Sequence, residues 1–240
     1  LGQKNIVGLE KSTVIPSDIA STAHASDFVY STTHDKLSNW TTAFSRNFYE
    51  DNGFFLKKGG LEICRKDDDA CWEELKRKVA SGKAFGTNVR LISASEAKEK
   101  FPLLEEESIR GAMWDPDAGL VTPRSQDVVR FAIESAKEKG TLNTYADTPA
   151  VGFEIENGRV IGVKTNKGII KTDKVVIASG IWGPLMGGMA GVPVPLMPLE
   201  HPLLFFGPLP EAQDAEDFLV YPLLRDQGNS AYVRDTGRLH

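Results

Sequence analysis

The stretch AVGFEIENGRVIGVKTNKGIIKTDKVVIASG, residues 150–180, decides the fold. Its β-rich runs are separated by Asn157-Gly158 and by Lys167-Gly168, dipeptides that suit tight turns between antiparallel strands. The pattern predicts a three-stranded antiparallel meander leading straight into a further apolar strand over 174–180. That strand ends in Ala178, Ser179 and Gly180, and small residues at a strand's carboxyl end let a ligand come close to the backbone.

Outward from this centre the chain alternates strand with helix. Ile6–Leu9 is a short apolar run that fits a buried parallel strand, and Glu10 ends it. Trp40, Ala43, Phe44, Asn47 and Phe48 recur at helical spacing before Gly53, which suits a helix stop. Residues 59–64, GGLEIC, read as a strand, and residues 69–86 as an amphipathic helix with Trp72, Leu75 and Val79 inward. Ser93 with Glu96 forms a capping box for a short helix that Pro102 halts. A further helix is expected to start near Thr122-Pro123, to bury Val128, Phe131 and Ala132, and to end at Gly140. The last fifty residues hold seven prolines among apolar residues, which suits edge strands and crossings more than helices.

Composition bounds the function. The chain has 240 residues, 41% hydrophobic and 25% charged, with a net charge of −5. That balance describes a globular chain of one large domain or two interleaved ones. Its mild acidity gives no electrostatic reason to expect nucleic acid or an anionic membrane, and no apolar run approaches the roughly 20 residues a span needs. Cys64 and Cys71 are too few for a disulfide framework or a zinc site and are expected to be reduced thiols. The chain opens on Leu1 rather than methionine, so its natural start is expected to lie upstream.

A dinucleotide site of the Rossmann type needs a glycine-rich turn after its first strand and, about 20 residues on, an acid that binds a ribose hydroxyl. Glu10 ends its strand in the right way, but the glycines would precede Leu1, and Gly187 to Gly191 lack the spacing. Many strands end in a surface acid, so Glu10 alone leaves both readings open. The box Ser21, Thr22, Ala23, His24, Ala25 sets one of the four histidines among small residues and hydroxyls. A neutral imidazole nitrogen is a competent nucleophile, and small neighbours let a planar ring approach it. The plain alternative is a surface histidine, which is how His34 reads.

The order Glu10, STAHA, GGLEIC, GAMWDPDAGLVTP (111–123), the meander, VVIASGIWG (175–183) and PVPLMPLEHPLLFF (193–206) resembles the D-amino-acid-oxidase-like superfamily of FAD-dependent oxidoreductases. Within it the chain is most similar to the dimethylglycine and sarcosine dehydrogenase or oxidase group. The resemblance implies an α/β fold: a Rossmann-like FAD-binding domain interleaved with a substrate domain built on a mixed or antiparallel sheet. Residues 1–30 and 121–190 would form the first, and 31–120 and 191–240 the second.

It also implies roles. The histidine of the box, His24, would bond covalently to the 8α-methyl of the FAD ring. Ser21, Thr22, Ala23 and Phe28 would line the cofactor, although the group usually has glycine where Ala20 and Asp27 stand, and leucine at Phe28. Glu10 and Lys11 would contact ribose, and Val151 the adenine through its backbone. Gly180 and Trp182 would pass near the flavin, although either also reads as a packing residue. His201 would help deprotonate the amine and Tyr232 would orient the histidine or the substrate; the acidic run PEAQDAED (210–217) lies between them. Without the resemblance, His201 between Glu200 and Pro202 reads as structural. A hydride would pass from the carbon beside the amine nitrogen to the flavin, because the hard chemistry belongs to the cofactor. The partners implied are a small amine and, as final acceptor, oxygen or an electron-transfer protein. The expected location is cytoplasmic, or the mitochondrial matrix if an upstream segment carries a transit peptide. Two other readings stay open: another amino-acid or hydroxy-acid oxidase or dehydrogenase of the superfamily, and a noncatalytic flavoprotein relative or binding subunit. Activity is expected of the longer parent protein rather than of this stretch alone.

Overall fold

The computed structural model describes residues 2–31, 34–207, 209–212 and 219–236, so part of the acidic run at 210–217 lies outside the described residues. Its elements are β1 (Ile6–Leu9), β2 (Phe28–Val29), α1 (Lys36–Asp51), β3 (Phe55–Lys57), β4 (Gly60–Arg65), α2 (Asp69–Ala84), β5 (Arg90–Ser93), α3 (Ala94–Lys100) and β6 (Ile109–Asp115). There follow β7 (Gly119–Val121), α4 (Ser125–Glu138), β8 (Leu142–Tyr145), β9 (Ala150–Glu156), β10 (Arg159–Thr165), β11 (Gly168–Lys171), α5 (Gly183–Met189), β12 (Leu223–Asp226) and β13 (Ala231–Val233). The fold is mixed α/β, and the chain separates into two compact units. One joins residues 1–25 to 124–204, the other 26–123 to 205–240. The expected boundaries differ from these at 26–30, 121–123 and 191–204.

In the first unit β1 runs parallel to β8, in register from Ile6 opposite Leu142 to Leu9 opposite Tyr145. The meander forms as expected, with β10 antiparallel to both β9 and β11. Asn157 and Gly158 both take positive φ, 50° and 75°, the backbone that a two-residue turn matching strand twist requires. The second turn differs by one residue: Thr165 pairs with Gly168, so Asn166 and Lys167 form the loop and Gly168 opens β11.

Several expectations for this unit are corrected. Residues 174–179 form no strand, and Val176 is 89% exposed. A strand exists only through a ladder with a neighbour, and this apolar run has none among the described residues. For the same reason β1 is parallel but not buried: β8 is its one partner among the described residues, and Ile6 stays 44% exposed. Helix α4 starts at Ser125 rather than at Thr122-Pro123, because the Thr122 N–H still bonds to the Phe54 carbonyl beside the strands (3.0 Å). Its apolar stripe is at most half-buried, with Phe131 and Ala132 exposed.

The second unit holds the packed core. A five-stranded sheet in the order β13-β12-β4-β6-β5 has α2 on one face and α3 on the other. Cys64, Leu75, Val79, Val89 and Met113 fill the α2 side. Leu61, Ile63, Ile92, Ala97, Phe101 and Leu224 are among those filling the α3 side. The capping box of α3 is complete: Ser93 Oγ accepts from Glu96 N (3.1 Å) and Glu96 returns a carboxylate to Ser93 N (3.2 Å). Both cysteines are free, and burial pushes the Cys64 thiol up to about 12, away from reactivity. Helix α1 forms and ends at Asn52-Gly53, but its apolar face is open, with Trp40 60% exposed and stacked on Phe44. A second sheet, β2-β7-β3, carries Phe28 into a cluster with Leu120, Leu219 and Leu223.

Candidate active site

The residues expected to hold a cofactor fall mostly in the first unit, where Lys11 and Trp182 meet. Glu10 follows the carboxyl end of β1; its N–H bonds to Tyr145 O (3.0 Å) and its carbonyl accepts from Thr148 N (2.9 Å). One carboxylate oxygen accepts from Ser12 N at 2.8 Å, while Oε2 has no partner among the described residues. A carboxylate held this way at the end of a parallel strand can accept from a vicinal diol. Lys11 places its ammonium 3.8 Å from the centroid of the Trp182 ring, a cation–π contact joining two positions 171 residues apart in sequence. Gly180 opens the short 3-10 turn that contains Trp182, with φ +53°. Val151 is exposed near the start of β9.

The histidine box forms a 3-10 turn, Ser21–His24, closed by Ala23 N to Ala20 O (2.9 Å). Its side chains are not buried, and His24 is exposed. What fixes the turn was not legible in the sequence: Arg124, just before α4, donates from Nη2 to the carbonyls of Ala23 (2.9 Å) and Ala25 (3.5 Å). An arginine next to Pro123, where a helix was expected to begin, is the one sequence signal that pointed there.

Asp27 explains why glycine suits its position. Its backbone sits at φ +63° while the residue is buried and its carbonyl accepts from Val121 N (2.8 Å). That region costs an ordinary side chain about 1–2 kcal/mol, and Asp tolerates it better than most. Asp27→Val is therefore expected to be about 1–2 kcal/mol less stable than Asp27→Gly in urea denaturation. Both variants lose the same carboxylate, so equal stabilities would mean that the backbone does not constrain this residue.

The expected catalytic pair is divided between the units. His201 is exposed in an irregular run of the first, and Tyr232 lies on β13 of the second. Around Tyr232 the second unit is densely built. Arg225 Nη2 donates to its hydroxyl (3.2 Å), and Phe28 meets its ring edge-on, centroids 6.1 Å apart. Phe28 was expected among the cofactor residues and is found packed with Tyr232 and Tyr30. Tyr30 sits over Gly60, where any Cβ would overlap its ring, and its hydroxyl is buried with no hydrogen-bond partner among the described residues. Burial, above all, pushes that phenol well above its ordinary value. The next residue, Ser31, is tied by its N–H to the fully buried Asp115 (2.6 Å), whose carboxyl burial also raises. A polar cleft of about 160 Å³ lined by Ser31, Arg46, Thr87, Asn88 and Asp117 contains none of the expected residues.

The first unit thus sets an acid at the end of a parallel strand with a basic-aromatic contact beside it. The sequence profile described as FAD dependent oxidoreductase (DAO) matches residues 2–240, and the chain belongs to that family. It is 28% identical over 209 residues to "Sarcosine dehydrogenase, mitochondrial" of Homo sapiens, covering 84% of this chain and 22% of that protein. It is 26% identical over 246 residues to "Pyruvate dehydrogenase phosphatase regulatory subunit, mitochondrial" of Mus musculus, covering 98% of this chain and 26% of that protein. Among solved structures it is similar to L-proline dehydrogenase from P. horikoshii, with a TM-score of 0.74 and 25% identity over 98% of this chain and 68% of that one. The chain thus spans about a quarter of the length of these two curated relatives. Among the described residues no helix is long and apolar enough to cross a membrane, and no group of His, Cys, Asp and Glu could hold a metal ion.

Proposed function

We propose that this chain is part of an FAD-dependent oxidoreductase that oxidises the C–N bond of a secondary or tertiary amine such as sarcosine or dimethylglycine. The observation that carries the reading is the convergence in the first unit of Glu10, Lys11 and Trp182, in a chain that matches the family along its length. The donor set fits the cofactor: an open carboxylate oxygen for a ribose diol, an aromatic plane under a cation, and an exposed histidine on a pinned turn. Residues 1–25 and 124–204 would hold FAD through Glu10, Lys11, Val151, Gly180, Trp182 and the box, with a covalent bond through His24. FAD, when bound, supplies the hydride acceptor; His201 takes the proton that frees the amine lone pair, and Tyr232 orients the substrate. The human relative's name supports a mitochondrial location.

The match to a regulatory subunit supports a second reading, a flavoprotein lobe without catalysis. Anaerobic mixing of the full-length protein with sarcosine, dimethylglycine, L-proline, D-alanine and glycolate separates these. Bleaching of the visible flavin band is expected with the two N-methyl amines. Bleaching by one of the others alone would move the substrate class. A band that no compound bleaches would favour the second reading.

A further inference from the structure

A row of side chains crosses three strands of the second unit. Tyr232 on β13 lies opposite Arg225 on β12, and Arg225 lies opposite Glu62 on β4. Directly opposed residues share one face of a sheet. Arg225 donates from Nη2 to Tyr232 Oη (3.2 Å), and its guanidinium lies 5.2 Å from the centroid of the Tyr232 ring. Its Nη1 stands 3.9 Å from Glu62 Oε2. Glu62, 2% exposed, receives the ammonium of Lys78, 4% exposed, on its other oxygen at 2.5 Å, and Lys78 also donates to Gln227 (3.0 Å).

Burying an ion pair costs desolvation that its attraction only partly returns, so stability is a weak reason to find one here. What the row supplies is orientation. The Glu62 carboxylate stands between two cations, bonded to the Lys78 ammonium on one oxygen and facing the Arg225 guanidinium with the other. Phe28 meets the Tyr232 ring edge-on. Because arginine donates and never accepts, the bond to Tyr232 occupies an oxygen lone pair and turns the phenol's own hydrogen elsewhere.

We propose that Arg225, locked by the buried Glu62–Lys78 pair, is a positioning residue that holds Tyr232 as a hydrogen-bond donor toward the bound substrate. This rests on the reading of Tyr232 as an active-site residue. The test is a double-mutant cycle in the full-length, FAD-containing protein, followed by anaerobic flavin reduction with sarcosine. Arg225→Gln is expected to slow reduction roughly 10- to 100-fold, the order of loss that a misplaced group causes. Arg225→Lys, which keeps a charged donor, should recover part of that loss. In the Tyr232→Phe background Arg225→Gln should cost less than about twofold more, because the two residues act as a unit. In protein labelled at tyrosine Cζ with ¹³C, the Tyr232 resonance should move in Arg225→Gln. Additive losses, or an unmoved resonance, would overturn the inference while leaving Tyr232 in the site. If Tyr232→Phe alone has no effect on reduction, the reading beneath it fails, and this inference fails with it. Should Arg225→Gln not fold, Arg225→Lys carries the same comparison.

Discussion

Replacing His201 by alanine in the full-length protein is expected to slow flavin reduction by roughly 10²- to 10⁴-fold, the range for loss of a general base. The reason is chemical. An ammonium has no lone pair to drive hydride loss, so a group beside the substrate must take its proton before the C–H bond breaks. His201 is exposed in an irregular run just before Pro202. Substrate binding should change far less than the rate. The residual rate should recover as pH rises, because the free amine then becomes abundant without help. Tyr232→Phe should give a smaller defect. A His201→Ala protein that reduces normally at neutral pH and only melts earlier would make this histidine structural.

The second large effect concerns the flavin's attachment. Full-length protein precipitated with acid is expected to stay yellow, whereas the His24→Ala variant should release its flavin to the supernatant. The expectation rests on how the turn is built. His24 ends a 3-10 turn whose flanking carbonyls Arg124 holds, so an exposed imidazole is presented on backbone that does not need to be ordered on binding. A neutral ring nitrogen is the nucleophile such a bond needs. Quantitative release of FAD from the unmodified protein would show that the box is present without its chemistry.

Local chemistry made part of this fold legible. Asn157-Gly158 announced a turn because both residues tolerate positive φ, and both adopt it. Ser93 and Glu96 announced a helix start because the reciprocal bonds depend only on residues three apart. Pairing between distant segments was harder to read. Residues 174–179 have a buried strand's composition, but whether they form one depends on a neighbour that composition does not name. The apolar spacing of α1 foretold a helix but not the exposure of Trp40 and Phe44.

The candidate site divided in the same way. The box, Glu10, Lys11 and Trp182 were found through their resemblance to family motifs. The contact of Lys11 with Trp182 is tertiary and was not. Arg225, Glu62 and Lys78 were missed altogether. A signal was present: a glutamate in the middle of the apolar strand GGLEIC, and a lysine on the inward face of α2 beside Leu75 and Val79. Charged residues are almost never buried singly, so two of opposite sign in such places suggest a pair.

The most direct measurement is the fate of the N-methyl carbon. Full-length protein is reduced anaerobically with sarcosine carrying a ¹³C-labelled methyl group, and the products are counted by NMR. If the hydride leaves the methyl carbon, hydrolysis of the resulting iminium yields one labelled formaldehyde and one glycine for each flavin reduced. No reduction at all would contradict the account, whereas labelled methylamine with glyoxylate would place the hydride loss on the other carbon beside the nitrogen.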